Sequence, residues 1–290
     1  MSQYRIISTQ KQTALVVNTK TNEQQACFFS RKHKPICGDY VEIQTNKNEY
    51  IISNILPHRN VFARANHNGQ RQNIAANVDN QIIVVAVQPE PTRDLINRYL
   101  IAAHNCGMRA IIVFNKNDID KDFFNEINSL YQSLGYITLS TNATTQTDFT
   151  ELIALMTGKT SIFVGMSGVG KSSISEIILH KKLKTGEISK KTGKGSHVTS
   201  VTQMYKIPNN SGYLIDSPGV WEYGLWKMGE DEIAAGFSEI SSKAGQCKFS
   251  NCTHTHEPKC AVKKAVENHE ISSQRYDSYL RIIDSMKYWK

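Results

Sequence analysis

The sequence predicts three joined units: an N-terminal β-barrel, an α/β core on a mostly parallel sheet, and a C-terminal helical segment around a metal-binding cluster. Residues 1–64 hold five short runs rich in β-branched and aromatic residues, separated by polar turns. Between 65 and 225, apolar strand-like runs alternate with helix-like stretches of the lengths that build βαβ units. Across 226–290 the pattern is helical, interrupted by a tight group of cysteines and histidines.

Composition narrows the class before any motif is read. The 290 residues carry a formal charge of +8, with 40% hydrophobic and 21% charged side chains. Those are globular values, which exclude a disordered or fibrous chain. The longest apolar runs, such as Ile82 to Val87, are far shorter than the ~18 residues of a membrane span. The start, MSQYRIISTQ, has neither the basic opening nor the apolar stretch of a secretory signal. Six cysteines in a chain this long make no disulfide framework, so a cytoplasmic protein with reduced thiols is expected. Cys27, Cys37 and Cys106 read as ordinary buried or partly buried residues.

Positive charge is localised. Residues 1–64 hold nine basic against four acidic side chains, and residues 181–206 hold seven against one. Residues 65–180 hold eight against ten. Two basic zones around an acidic middle favour a polyanionic partner, although a solvated basic surface would leave the same charge signature.

The barrel strands are YRIIS, TALVVNT, QQACFF, DYVEIQT and EYIISNIL. Five short strands in so few residues suit the oligonucleotide-binding (OB) fold. Its third turn contains Arg31, Lys32 and Lys34, a basic loop placed where such barrels contact nucleic acid. After Arg64 a polar stretch leads to strand IIVVAV, helix-like TRDLINRYLIAAHNCG and strand AIIVF. Helix-like DFFNEINSLYQSLG, strand YITLS, helix-like TDFTELIALMTG and strand SIFVG follow.

The strongest motif is Gly165-Met166-Ser167-Gly168-Val169-Gly170-Lys171-Ser172, a full GxxxxGK[ST] match between strand SIFV and helix-like SSISEIILH, which begins at Ser172 and Ser173. Glycines there let backbone N–H groups turn inward around phosphate oxygens. Lys171 supplies charge to the β- and γ-phosphates, Ser172 a hydroxyl to Mg²⁺, and the helix N-terminus favours the anion. Asn115-Lys116-Asn117-Asp118 ends strand AIIVF. A carboxylate at Asp118 can accept from both N1–H and the 2-amino group of guanine, whereas adenine would leave it unpaired. The Lys116 stem can cover the base, and Asn115 can tie this loop to the phosphate loop. Ser140 and Thr141, closing strand YITLS, complete the expected base side. Asp216-Ser217-Pro218-Gly219 follows strand GYLI, with Asp216 reaching Mg²⁺ through water and the Gly219 N–H sensing the γ-phosphate. GTP is therefore favoured over ATP, with Mg²⁺ beside it.

Their order is NKxD, phosphate loop, DxPG, whereas ordinary GTPases run phosphate loop, DxxG, NKxD. Circular permutation builds the same sheet, because domain ends are often close in space. Further on, Cys247-x4-Cys252-x-His254-x5-Cys260 supplies three thiolates and an imidazole for a closed, structural zinc shell, with His256 as a rival to His254. One cluster is expected to secure a helical domain whose own core is small.

Over its whole length, in this order of barrel, NKND, GMSGVGKSS, DSPG and zinc cluster, the chain resembles the circularly permuted, small-ribosomal-subunit-dependent GTPases of the RsgA (YjeQ) type. The resemblance implies GTP hydrolysis stimulated by that subunit, a role in its late maturation and one structural zinc per chain; with its rRNA as the polyanion, the two basic zones predict contact through Arg31, Lys32, Lys34, Lys190, Lys191 and Lys194. It favours His254 over His256 as the ligand. It places the first switch at Gly195-Ser196-His197-Val198-Thr199-Ser200, where relatives show a histidine followed by threonines. Val198 cannot ligate a metal, so Thr199 is the Mg²⁺ ligand of choice and Ser200 the second. Val220 follows DSPG where a water-orienting glutamine often stands, and the resemblance points to His197 as its substitute, or to an RNA or solvent contact. A monomer is expected. The rival reading is a non-catalytic RNA- or ribosome-binding module that holds nucleotide as a structural ligand.

Overall fold

The computed structural model describes residues 3–46, 49–66, 68–91, 94–183, 202–216 and 225–287. Lys190, Lys191, Lys194, His197, Thr199, Ser200 and Gly219 lie outside the described residues.

Five strands open the chain: β1 (Tyr4–Gln10), β2 (Thr13–Asn18), β3 (Gln24–Phe28), β4 (Tyr40–Asn46) and β5 (Glu49–Ile55). Strand β1 pairs antiparallel with both β2 and β4, β2 with β3, and β4 with β5. A parallel contact at Phe28↔Ile51 joins β3 to β5 and closes the ring. Closure leaves no free strand edge. Ile6, Ala14, Val16, Cys27, Val41 and Ile52 fill the interior.

A hairpin follows, β6 (Val61–Ala65) with β7 (Arg71–Ala76). The stretch after Arg64, read as merely polar, thus contains a strand. Its exposed Arg71, Gln72 and Asn73 carry the polar signal, while Ala75 and Ala76 are buried. The division at 64/65 falls inside β6.

The α/β core runs β8 (Asn80–Val85), α1 (Leu95–Asn105), β9 (Arg109–Asn115), α2 (Lys121–Ser133), β10 (Ile137–Thr141), α3 (Thr150–Met156), β11 (Thr160–Val164), α4 (Lys171–Leu179), β12 (Gln203–Lys206) and β13 (Tyr213–Asp216). The sheet order is β10-β9-β8-β11-β13-β12. The first five strands are parallel, and β12 is antiparallel to β13. Every residue of β8 is buried, as a parallel strand covered on both faces must be, which explains its unbroken apolar run. Strand β12 occupies the tail of the 181–206 segment that composition marks as loop; Met204 is buried there opposite Ile215. Gln203 also pairs with Ser8 of β1, so core and barrel form one eleven-stranded sheet. Chain order reverses between β8 and β11, placing a crevice at their carboxyl ends.

Helices α5 (Glu230–Ala235), α6 (Ser238–Ala244), α7 (Ala261–Glu267) and α8 (Ser273–Met286) complete the chain. They share one core with α1: Tyr99, Leu100 and Ile101 join Ile233, Phe237, Tyr279 and Ile282. The helices approach so closely that a Cβ on Gly236 would lie 2.6 Å from Ile101 Cα. A polar network reinforces the seam. The Arg275 guanidinium, 1% exposed, ion-pairs with Glu239 (Nε–Oε1 2.6 Å) and donates to Asn97 Oδ1. Tyr131 Oη donates to the same Asn97 oxygen at 2.8 Å, and Asn97 Nδ2 donates to Ser278 Oγ at 2.6 Å. The metal cluster is therefore not the sole support of these helices, because their apolar faces are completed by α1 rather than by one another.

Candidate nucleotide site and metal centre

The NKND loop, the phosphate loop and Asp216 converge at the carboxyl ends of the parallel strands. Strand β11 ends at Val164, and the phosphate loop turns from it into α4. Gly165, Gly168 and Gly170 have φ of 140°, 81° and 100°, conformations that side chains resist. Space is equally restrictive: a Cβ on Gly165 would sit 2.3 Å from Val84 O, and one on Gly170 2.1 Å from Asn115 Nδ2. Met166 is half-buried, Val169 is buried against the strands, and Ser167, Ser172 and Ser173 are exposed on the loop and the first turn of α4.

Lys171 Nζ donates to Gly165 O at 2.7 Å and Met166 O at 2.6 Å. Burial lowers its pKa to about 8, against the opposing charge of Asp216. Asp216, the last residue of β13, is raised by burial and lowered by Lys171. The two groups thus face each other across the phosphate end of the crevice. The Ser172 hydroxyl and the Asp216 carboxylate are oxygen donors of the kind a hard cation such as Mg²⁺ takes.

The base end is built from β9 and β10. Buried Asn115 donates through Nδ2 to Val169 O at 2.8 Å, and its Oδ1 accepts from Ala143 N at 3.0 Å and Thr141 Oγ1 at 3.5 Å. Lys116, at φ 61°, donates through Nζ to Gln88 O and Gly168 O, each at 2.8 Å, so its stem spans toward the phosphate loop. Asn117 Nδ2 donates to Ser140 Oγ at 3.0 Å. Asp118 is exposed at the end of this loop.

One contributor escaped the sequence reading. Asn142, 4% exposed, donates from Nδ2 to Asp118 Oδ1 at 2.7 Å. Its own Oδ1 accepts from Thr144 N at 2.9 Å and Thr145 N at 3.1 Å, which fixes which end of the amide meets the carboxylate. The signal was the asparagine directly after YITLST, ready for a turn with its own backbone two and three residues on.

The metal centre lies between α6 and α7. Donor atoms of Cys247, Cys252, His254 and Cys260 all fall within 4.8 Å of one another. Cys247 Sγ and Cys260 Sγ are 3.9 Å apart, and each is 3.5 Å from His254 Nδ1. A tetrahedron with Zn–S of about 2.3 Å and Zn–N of about 2.0 Å has S–S and S–N edges of about 3.8 and 3.5 Å, so this donor set fits zinc. Burial lowers the His254 pKa, which keeps the Nδ1 lone pair free for a metal. Ala261 N donates to Cys247 Sγ at 3.3 Å and Lys263 N to Cys260 Sγ at 3.5 Å. Tyr276 Oη and Tyr279 Oη brace the loop by donating to His254 O and Thr253 O, both at 2.7 Å. His256 is exposed, its Nδ1 beside Thr255 Oγ1.

Away from the crevice, Arg31, Lys32 and Lys34 are exposed in the loop between β3 and β4. No helix among the described residues is long and apolar enough to cross a membrane.

An NKxD loop, a phosphate loop and a β13-terminal aspartate, met in that chain order on one parallel sheet, define a circularly permuted GTPase. The chain belongs to the RsgA GTPase family, whose model matches residues 55–226. It is 39% identical over 266 residues to the small ribosomal subunit biogenesis GTPase RsgA of Alcanivorax borkumensis, covering 89% of this chain and 75% of that one. It is 37% identical over 285 residues to the protein of that name from Photorhabdus laumondii, covering 93% and 81%. Among solved structures, YjeQ from Thermotoga maritima superposes with a TM-score of 0.80 at 29% identity over 99% of both chains. YloQ, a circularly permuted GTPase, superposes with a TM-score of 0.76 at 26% identity over 100% and 96%.

Proposed function

We propose that this protein binds the small ribosomal subunit and acts late in its biogenesis, hydrolysing GTP to GDP and phosphate with turnover stimulated by the subunit. The observation that carries the reading is the convergence of Asn115, Lys116, Asp118, Lys171 and Asp216 on one crevice, in a chain whose relatives are named for this role.

Guanine is read by Asp118, with Lys116 along the base and Ser140 and Thr141 closing that side. The phosphates lie over the amides of 165–173, drawing on Lys171 and the N-terminus of α4. Ser172, Asp216 and Thr199 would hold Mg²⁺, which would supply charge neutralisation to the phosphates. His197 orients the attacking water as a neutral imidazole acceptor, and the Gly219 N–H reports the γ-phosphate. Cys247, Cys252, His254 and Cys260 hold one structural zinc.

The division of labour is 1–64 for RNA contact, 65–225 for nucleotide and 226–290 for the zinc-braced helices, in a monomer working in the cytoplasm. Arg31, Lys32 and Lys34 on the barrel, with Lys190, Lys191 and Lys194, meet rRNA phosphates.

GTP turnover measured with and without purified small subunits tests the function. Stimulation by the subunit is expected, and His197→Ala should cut the stimulated rate ~10²-fold or more with GTP affinity near wild type. Turnover indifferent to the subunit would refute the reading, and equal rates in both proteins would remove His197 from the chemistry.

A further inference from the structure

A cavity of about 340 Å³ lies at the opposite end of the parallel strands, at the seam between barrel and core. Arg5, Tyr40, Arg59, Asp79, Lys159 and Tyr213 are among its lining residues. Arg59 precedes β6 and the others belong to or adjoin the start of β1, β4, β8, β11 and β13, so the cavity is separated from the nucleotide crevice by the length of the parallel strands.

Its charge is unbalanced. Three cations, Arg5, Arg59 and Lys159, face one carboxylate. Asp79 is already engaged, by Arg59 Nη2 at 2.9 Å and by Thr160 N at 2.8 Å. Arg5 is only 4% exposed yet forms no ion pair within 4.0 Å among the described residues. Its guanidinium donates from Nε to Gly38 O and from Nη2 to Asn77 O, both at 3.2 Å, and lies between the rings of Tyr40 and Tyr213 at 5.1 and 5.2 Å. Carbonyls and ring faces soften the burial of a cation but do not neutralise it. The carboxylate that acts on Arg5 is buried Asp39, which is shared with His58 at 2.8 Å, so with Arg59 and Lys159 alongside the seam keeps an excess of cations. A doubly charged, multi-acceptor anion answers all three cations at once.

We propose that this seam cavity is a phosphate-binding site, distinct from the phosphate loop, which takes a phosphate group of an RNA backbone or of a free phosphorylated compound. Occupancy would tie Arg5 of β1 and Lys159 beside β11 to one anion and so stiffen the barrel against the core. Tyr213 lies three residues before Asp216 on β13, so the same strand touches both sites.

The test uses the full chain saturated with a non-hydrolysable GTP analogue, so that the phosphate loop is filled. Inorganic phosphate is titrated by calorimetry into wild type and into Arg59→Ala/Lys159→Ala, a double change confined to exposed side chains that leaves the seam contacts of Arg5 intact. Saturable binding, weakened at least about tenfold in the double variant, is expected. A second arm measures small-subunit binding across a salt series. If the occupant is an RNA phosphate, the slope of log affinity against log salt falls by about one to two in the variant. If it is a free phosphate compound, that slope stays put while inorganic phosphate binding is lost. Phosphate binding absent from wild type or unchanged in the variant, together with an unchanged salt slope, overturns the site.

Discussion

Asn142 offers the sharpest trial of how guanine is selected, because Asn142→Asp removes one atom's function and keeps the rest. The variant retains an oxygen to accept from Thr144 N and Thr145 N, so the turn that the asparagine builds survives. It loses the Nδ2 donor that meets Asp118 Oδ1 at 2.7 Å and sets a second carboxylate there instead. A hydrogen bond to a charged group contributes about 2 kcal/mol, which corresponds to about thirtyfold in affinity, and carboxylate repulsion adds to the loss. Calorimetry with a non-hydrolysable GTP analogue should therefore show binding weakened about thirtyfold or more, while subunit-stimulated kcat at saturating GTP changes little. Asp118→Asn is the control: it should lose GTP and gain xanthosine triphosphate. Wild-type GTP affinity in Asn142→Asp, with the control behaving as stated, would refute the idea that the carboxylate needs this brace.

Three further outcomes are expected. Burial holds the Lys171 ammonium at about 8, and bound phosphate requires it charged, so nucleotide affinity should be flat below pH 8 and fall by up to about tenfold per unit above it, with proton uptake on binding near that pH; affinity unchanged from pH 7 to 9.5 would contradict this. Arg275→Leu leaves Glu239 buried without its partner and should cost about 3–5 kcal/mol in urea unfolding, much of it recovered by adding Glu239→Leu; a loss under about 1 kcal/mol would show that the network is idle. Metal analysis of chelator-free protein should find about one zinc per chain, and Cys252→Ser should raise hydrogen exchange across 247–260 while α8 stays docked on α1 and nucleotide affinity holds; protein without zinc would defeat the assignment.

Local chemistry made much of the molecule readable. Five barrel strands, the alternation of the core, and the phosphate loop between β11 and α4 follow from signals that lie within a few residues of each other, such as β-branching or three glycines around a lysine. The metal cluster was legible for the same reason, since a closed shell needs particular residue types at short spacing. Strand β7 was not: its first half is the exposed Arg71, Gln72 and Asn73, and it ends in two alanines whose burial is decided by the core they meet.

Contacts made across long separations decided the rest. Asn97 and Arg275 are ordinary polar residues in sequence, and become a buried brace only because α1 and α8 are folded against each other. Arg5 reads as a single charge in an apolar strand, until Tyr40 and Tyr213 close around it. Asn142 gains its partner only when β10 lies beside β9. The sequence by itself determined which segments would be strands, helices, phosphate loop and metal shell, because those depend on neighbouring residues. The tertiary structure alone decided which polar side chains would be stripped of water together, because burial is set by whatever the rest of the chain brings alongside.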